Sequence, residues 1–251
     1  MSGLLQQMIM ACLVLACTMA ASNIKAGVVL SGTRFVYPSQ EKEITVKITN
    51  QGKHPVLVKA WIDHGETDAS PEAIKVPFTL TPPIFRMDAD KEMALRLTYV
   101  GANLPKDRES LFWLNVMEVP PRPSEKQEGQ NTLQLAFRYR LKLFFRPEGL
   151  AGTAKEAAAD LRWALAEEHG RQALRVFNDR PYYVSLTEVK LKHGTQTVAV
   201  EPETIAPFST HDFVLKTAVK NDAKDPGAWS VDYRWLDEWG GLLDKSKPLT
   251  R

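Results

Sequence analysis

The sequence predicts an all-β protein made of two sandwich domains. Three observations carry that prediction. Residues 132–147, TLQLAFRYRLKLFFRP, alternate apolar and polar with almost no break. Upstream, six shorter runs alternate in the same way and are separated by Pro, Gly and Asn. The chain has 251 residues, 44% hydrophobic and 25% charged, which is ordinary globular composition with room for one large domain or two of about 100 residues.

The first half reads as strands in sequence. VVLSGTRFVY stops at Pro38, EITVKITN stops at Gln51-Gly52, and VLVKAWID follows. In FTLTPPIFRM, Pro82-Pro83 lacks the N–H groups that a ladder needs, so it interrupts pairing or marks an edge. MALRLTYV ends at Gly101 and ESLFWLNVMEV at Pro120-Pro121. With the run at 132–147 this makes seven strand candidates and no convincing helix, the pattern of an immunoglobulin-like sandwich.

The seventh run is too long for its own domain. Its odd positions, Leu133, Leu135, Phe137, Tyr139, Leu141, Leu143 and Phe145, are all apolar, while Gln134, Arg138, Arg140, Lys142 and Arg146 occupy most even ones. Typical strands run about 5–6 residues, whereas this one reaches roughly 13 and about 43 Å at 3.3 Å per residue. Leu141, Leu143 and Phe145 suit the domain's own core, which leaves the earlier apolar positions unexplained. A polar loop, residues 121–131, precedes the run, and RPEGLAG, residues 146–152, reads as a hinge. Domains are therefore expected at 27–147 and 148–251.

The second half is less regular but also rich in strands. Helix propensity favours AKEAAADLRWALAEEH, yet only Ala154 to Ala159 is expected to be helical, because a turn at His169-Gly170 divides LRWALAEEHGRQALRVF into two strands. YYVSLTEVKL, TVAVEP, THDFVLKT and WSVDYRWLD continue the pattern into a second, smaller sandwich.

Residues 1–26 differ from the rest. An apolar run from Met8 to Ala21 followed by small residues reads as a cleaved secretory signal peptide, with cleavage after Ala20, Ala21 or Ala26. A cut before Cys17, giving a lipid anchor, is the alternative, and the run is too short to span a membrane comfortably. Cys12 and Cys17 both lie in this segment, so the exported chain is expected to rely on its cores rather than on disulfides. Net charge is +2, with 17 basic and 14 acidic residues in 27–147 and 14 and 16 in 148–251. Neither half has the basic excess that a nucleic-acid or anionic-membrane partner requires.

Catalytic patterns are missing: the sequence has no GxSxG, HExxH, GxGxxG or P-loop. Ser39-Gln-Glu-Lys42 matches SxxK without its partner motifs and reads as a solvated turn. Asp63-His64-Gly65-Glu66-Thr67-Asp68 raises the alternative of a periplasmic metal-binding protein or a sandwich enzyme, against the plainer reading of an acidic loop. His54, His169, His193 and His211 are scattered singles.

GTRFVYP, NQGKHPVLVKAWID, TPPIFRMDAD, DRESLFWLNVMEVPP and LQLAFRYRLKLFFRP, with NDRPYYVSL, IAPFST and LDEWGG in the second half, resemble the periplasmic pilus chaperones of the PapD-like family. The resemblance runs from about Gly27 to about Leu242 in order and implies two immunoglobulin-like domains in a boomerang around a cleft. It implies a chaperone without enzymatic activity or cofactor, acting in the periplasm on pilus subunits whose own fold lacks its last strand, and passing them to an outer-membrane usher. The long strand would fill the subunit's groove by β-augmentation, with Leu133, Leu135 and Phe137 as donor side chains. Arg34 and Lys142 would hold the subunit's C-terminal carboxylate. Glu109, Arg146 and Glu238 would set the interdomain angle, although the family usually has Asp at the last position.

The short loop before the long strand points to the subgroup that assembles rod-like pili. An exposed donor edge also invites self-capping into a homo-oligomer. The competing class is a pilus structural subunit or adhesin, which would carry a short N-terminal donor extension and usually one immunoglobulin domain.

Overall fold

A computed structural model describes residues 27–68, 70–101, 103–121, 135–217, 219 and 229–249. The expected signal peptide, the loop at 122–131 and Leu133 lie outside these residues. Among the described residues nine strands build the first half: β1 (Val28–Leu30), β2 (Arg34–Pro38), β3 (Ile44–Asn50), β4 (Val56–Asp63), β5 (Phe78–Thr81), β6 (Ile84–Met87), β7 (Glu92–Tyr99), β8 (Ser110–Val119) and β9 (Phe137–Arg146). They form two facing sheets, ordered β1-β3-β7-β5 and β2-β9-β8-β4-β6.

Two of the seven expected runs split. FTLTPPIFRM divides at its proline pair into β5 and β6, which belong to opposite sheets. VVLSGTRFVY also divides, where the sequence predicts one strand. Ser31 is tied to β3 by Ser31 N to Lys47 O at 3.0 Å and Lys47 N to Ser31 Oγ at 3.3 Å. After Gly32-Thr33 the chain crosses over, so β1 pairs antiparallel with β3 while β2 pairs parallel with β9. Between the sheets Val46, Ile48, Val58, Leu95, Leu97, Leu114, Val116 and Leu143 are fully buried. Tyr37 closes one end, donating its hydroxyl to Glu41 O and Lys42 O and accepting from Tyr99 N.

In the second half α1 (Ala154–Ala159) matches the expected helix, with Thr153 as its cap: Glu156 N donates to Thr153 Oγ1 at 3.1 Å. β10 (Arg162–Glu168), β11 (Arg171–Asn178) and β15 (Ser209–Val214) make one sheet. β12 (Val184–His193), β13 (Gln196–Val200), β14 (Thr204–Ile205), β16 (Trp229–Leu236) and β17 (Leu242–Pro248) make the other. His169-Gly170 is the turn between β10 and β11, and both residues have positive φ. β17 is unforeseen, because Leu242–Pro248 carries too few apolar side chains to read as a strand; it pairs with β16 along its whole length. A second core forms around Trp163, Leu174, Leu191, Trp229 and Val231. The two cores lie on either side of residues 147–153, so the fold is two immunoglobulin-like sandwiches.

Candidate functional site

The site starts from an incomplete sheet. On one side β9 pairs with β8 from Phe137 to Phe145. On the other it pairs with β2 only from Lys142, opposite Arg34, to Arg146, opposite Pro38. Among the described residues the backbone from Phe137 to Leu141 thus has a free edge in line with β2. Among the same residues the ladder between β8 and β9 reaches Phe137, opposite Glu118.

Side chains of β9 follow the predicted alternation, but their burial changes along the strand. Leu143 and Phe145 are in the core and Leu141 is half-buried. Tyr139 packs against the core's margin. Phe137 is 53% exposed and Leu135, just before the strand, 55%. The apolar face therefore runs past its own core and out into solvent.

Arg34 and Lys142 are direct neighbours across β2 and β9, at the point where the free edge begins. Arg34 Nη1 donates to Leu236 O at 3.1 Å across the interdomain cleft, while its buried Nε has no partner among the described residues. Burial lowers the Arg34 pKa, partly offset by Asp237. Lys142 Nζ donates to Ser185 Oγ at 3.3 Å and to Thr204 Oγ1, both on the second domain. Burial first, then the positive charge of Arg34, pull its amine down to about 8. Two partly desolvated cations held side by side by neutral groups favour a carboxylate, which would pair with both.

Glu109, Arg146 and Glu238 also come together. Glu109 Oε1 accepts from Arg146 Nε at 2.8 Å and Nη2 at 2.7 Å, and Oε2 accepts from Tyr183 N at 2.8 Å. Arg146 also pairs with Glu238, so the longer Glu side chain reaches its partner, and the guanidinium lies 5.1 Å from the Tyr182 ring centre. Burial raises the Glu109 pKa, opposed by Arg146. Every one of these groups bridges the two domains or touches one that does. Behind them is a cavity of about 500 Å³ whose lining includes Arg34, Phe144, Arg146, Tyr182, Trp235 and Trp239.

The acidic stretch after β4 takes a different role from the one its composition raised. Asp63 is fully buried, and Oδ1 accepts from Gly65 N and Arg140 Nη2, both at 2.8 Å. Oδ2 accepts from Asn115 Nδ2 at 2.8 Å and lies 3.6 Å from Arg138 Nη2. Its oxygens are thereby committed to the strand that carries the free edge, rather than available to a metal. Arg138 stacks over Trp61 at 4.9 Å and Arg140 over Trp113 at 4.5 Å, so the polar face of β9 is a ladder of Arg and Trp locked by one carboxylate. Sequence reading missed this ladder, although basic residues at alternate positions 138, 140 and 142 were its signal. Ser39 of the SxxK match accepts from Glu148 N at 3.0 Å and pins the hinge.

Comparison with known proteins agrees with this arrangement. Residues 27–151 match the family described as pili and flagellar-assembly chaperone, PapD N-terminal domain, and residues 156–247 match the pili assembly chaperone PapD, C-terminal domain. The probable fimbrial chaperone YadV of Escherichia coli strain K12 is 42% identical over 93% of this chain and 94% of its own length. The CupB2 chaperone of Pseudomonas aeruginosa superposes with a TM-score of 0.73 at 37% identity, covering 88% of this chain and all of the other. The SafB chaperone of Salmonella enterica, solved in complex with the SafA pilin, gives a TM-score of 0.70 at 27% identity, covering 90% and 98%. With a free strand edge beside paired cations, two immunoglobulin-like domains and family matches over both, the chain belongs to the PapD family of pilus-assembly chaperones, which is not an enzyme family.

Proposed function

We propose that this chain is a non-enzymatic, ATP-independent periplasmic chaperone that captures pilus subunits by completing their fold with β9. The observation that carries the reading is the stop of β2 at Arg34, which leaves the outer edge of Phe137–Leu141 without a strand partner among the described residues, beside the exposed Leu135 and Phe137. A subunit strand added there lies in line with β2 and therefore parallel to β9. Its C-terminus meets Arg34 and Lys142, which bind the terminal carboxylate and fix the register. Leu135 and Phe137, together with Leu133, enter the subunit's groove, at about 1.5–3 kcal/mol per large side chain buried. Glu109, Arg146 and Glu238 keep the second domain at the angle that brings Ser185 and Thr204 to Lys142.

On this reading residues 1–26 are a signal peptide, 27–147 the capturing domain and 148–251 the second domain. The loaded chaperone delivers its subunit to an outer-membrane usher. The test is co-expression with a fimbrial subunit encoded beside it, followed by purification from periplasm. The wild type yields a one-to-one complex, and Arg34→Ala or Lys142→Ala abolishes capture while the protein stays folded. Leu135→Glu weakens the complex without changing the melting temperature. Undiminished capture by both anchor variants refutes the assignment, and a large drop in melting temperature for Leu135→Glu would place that residue in the core.

A further inference from the structure

An exposed indole stands next to the anchor. Trp239, in the turn between β16 and β17, is 92% exposed, the most of any large apolar side chain among the described residues. A loop tip of this kind is ordinarily mobile, but this one is held on several sides. Asp237 Oδ1 accepts from Trp239 N at 2.9 Å and Gly241 N at 2.6 Å, and Asp237 N donates to Gly241 O at 2.9 Å. Glu238 pairs with Arg146 of the other domain. Gly240 has φ 84°, and a Cβ there would lie 2.9 Å from Thr33 Oγ1, so the turn abuts the residue preceding Arg34.

That contact decides the place. A strand running in line with β2 along the free edge of β9 ends facing Arg34, beside Thr33 and thus beside the 237–241 turn. Trp239 lines the same cavity as Arg34. An aromatic side chain on a braced turn loses little freedom on binding and contributes large contact area. Covering a paired carboxylate also strengthens its hydrogen bonds by excluding water.

We propose that Trp239 is a client-recognition residue of the second domain, packing on an apolar or aromatic side chain in the last one or two residues of the captured subunit and shielding the Arg34–Lys142 site from water. This rests on the capture reading above. The anchor's two cations, which draw in a chain terminus, argue for this occupant over a second copy of the chaperone.

The test uses the full chaperone and the co-expressed subunit, with affinity measured for the wild type, Trp239→Ala, Trp239→Phe and Arg34→Ala. Trp239→Ala is expected to weaken binding by about thirtyfold, the range of an interface hot spot. Trp239→Phe recovers most of it, and the melting temperatures are unchanged. The indole emission, taken as the difference between the wild type and Trp239→Phe, shifts to the blue in the complex. Binding by Trp239→Ala within twofold of the wild type, or an unshifted emission, overturns the proposal. So does a loss confined to self-association of the free chaperone, which would assign the residue to a second copy. If Arg34→Ala binds as well as the wild type, the capture reading falls and this inference with it.

Discussion

On the proposed reading the amine of Lys142 makes subunit capture sensitive to pH, with a sign set by its burial and by Arg34. Burial and the neighbouring Arg34 bring it to about 8 in the free protein, against about 10.4 for an unperturbed lysine. The subunit carboxylate binds the charged form, and pairing restores the proton's hold. Between pH 7 and pH 9 the charged fraction of the free protein falls about tenfold, and apparent affinity falls with it. At pH 8 binding takes up about half a proton per complex, visible as a calorimetric heat that varies with the buffer's ionisation enthalpy.

Stability runs the other way. Because the folded protein disfavours the charged amine, folding is penalised below pH 8, and the penalty is relieved as pH rises from about 8 towards the unfolded value. The free chaperone therefore gains stability over the range in which capture weakens. Lys142→Arg keeps its charge throughout and flattens the affinity profile. An affinity that is constant from pH 7 to pH 9, or an equal decline in Lys142→Arg, would refute the reasoning.

Asp63→Ala removes a fully buried carboxylate that neutralises Arg140 and Arg138. Because both arginines keep some solvent contact, the expected loss is about 2–4 kcal/mol in urea unfolding, at or below the range for breaking a buried pair. Amide exchange should rise in Phe137–Leu141; a loss below 1 kcal/mol would show that the ladder does not hold β9. Glu109→Ala and Glu238→Ala separate the two halves of the interdomain clamp. Glu109 is buried and serves both Arg146 and the Tyr183 amide, so its removal is expected to cost about 2–3 kcal/mol. The half-exposed Glu238 costs under about 1 kcal/mol. Both variants are expected to broaden the interdomain angle in solution scattering, and an unchanged profile would dismiss the clamp.

The sequence alone determined most of the strands, though not β17 or the division of VVLSGTRFVY, because alternation of apolar and polar residues is a local property and burial on one face enforces it. The proline break in FTLTPPIFRM, the turn at His169-Gly170 and the helix over Ala154–Ala159 were legible in this way, whereas of the run expected at 132–147 the described residues form a strand only over Phe137–Arg146. The family resemblance then singled out Arg34, Lys142, Glu109, Arg146 and Glu238, residues whose types gave no sign that they belong together. Tertiary structure decided which polar groups meet. Only the crossover at Ser31–Thr33 places Arg34 beside Lys142 and ends β2 there, leaving β9 an open edge. Only the stacking of β4, β8 and β9 turns Asp63 from one acid in a charged stretch into the counter-ion of two arginines of β9. Trp239 reads as one aromatic among many until the packing of Gly240 on Thr33 sets it at the end of that edge. Such pairings depend on distances between residues far apart in the chain, and no local pattern encodes them.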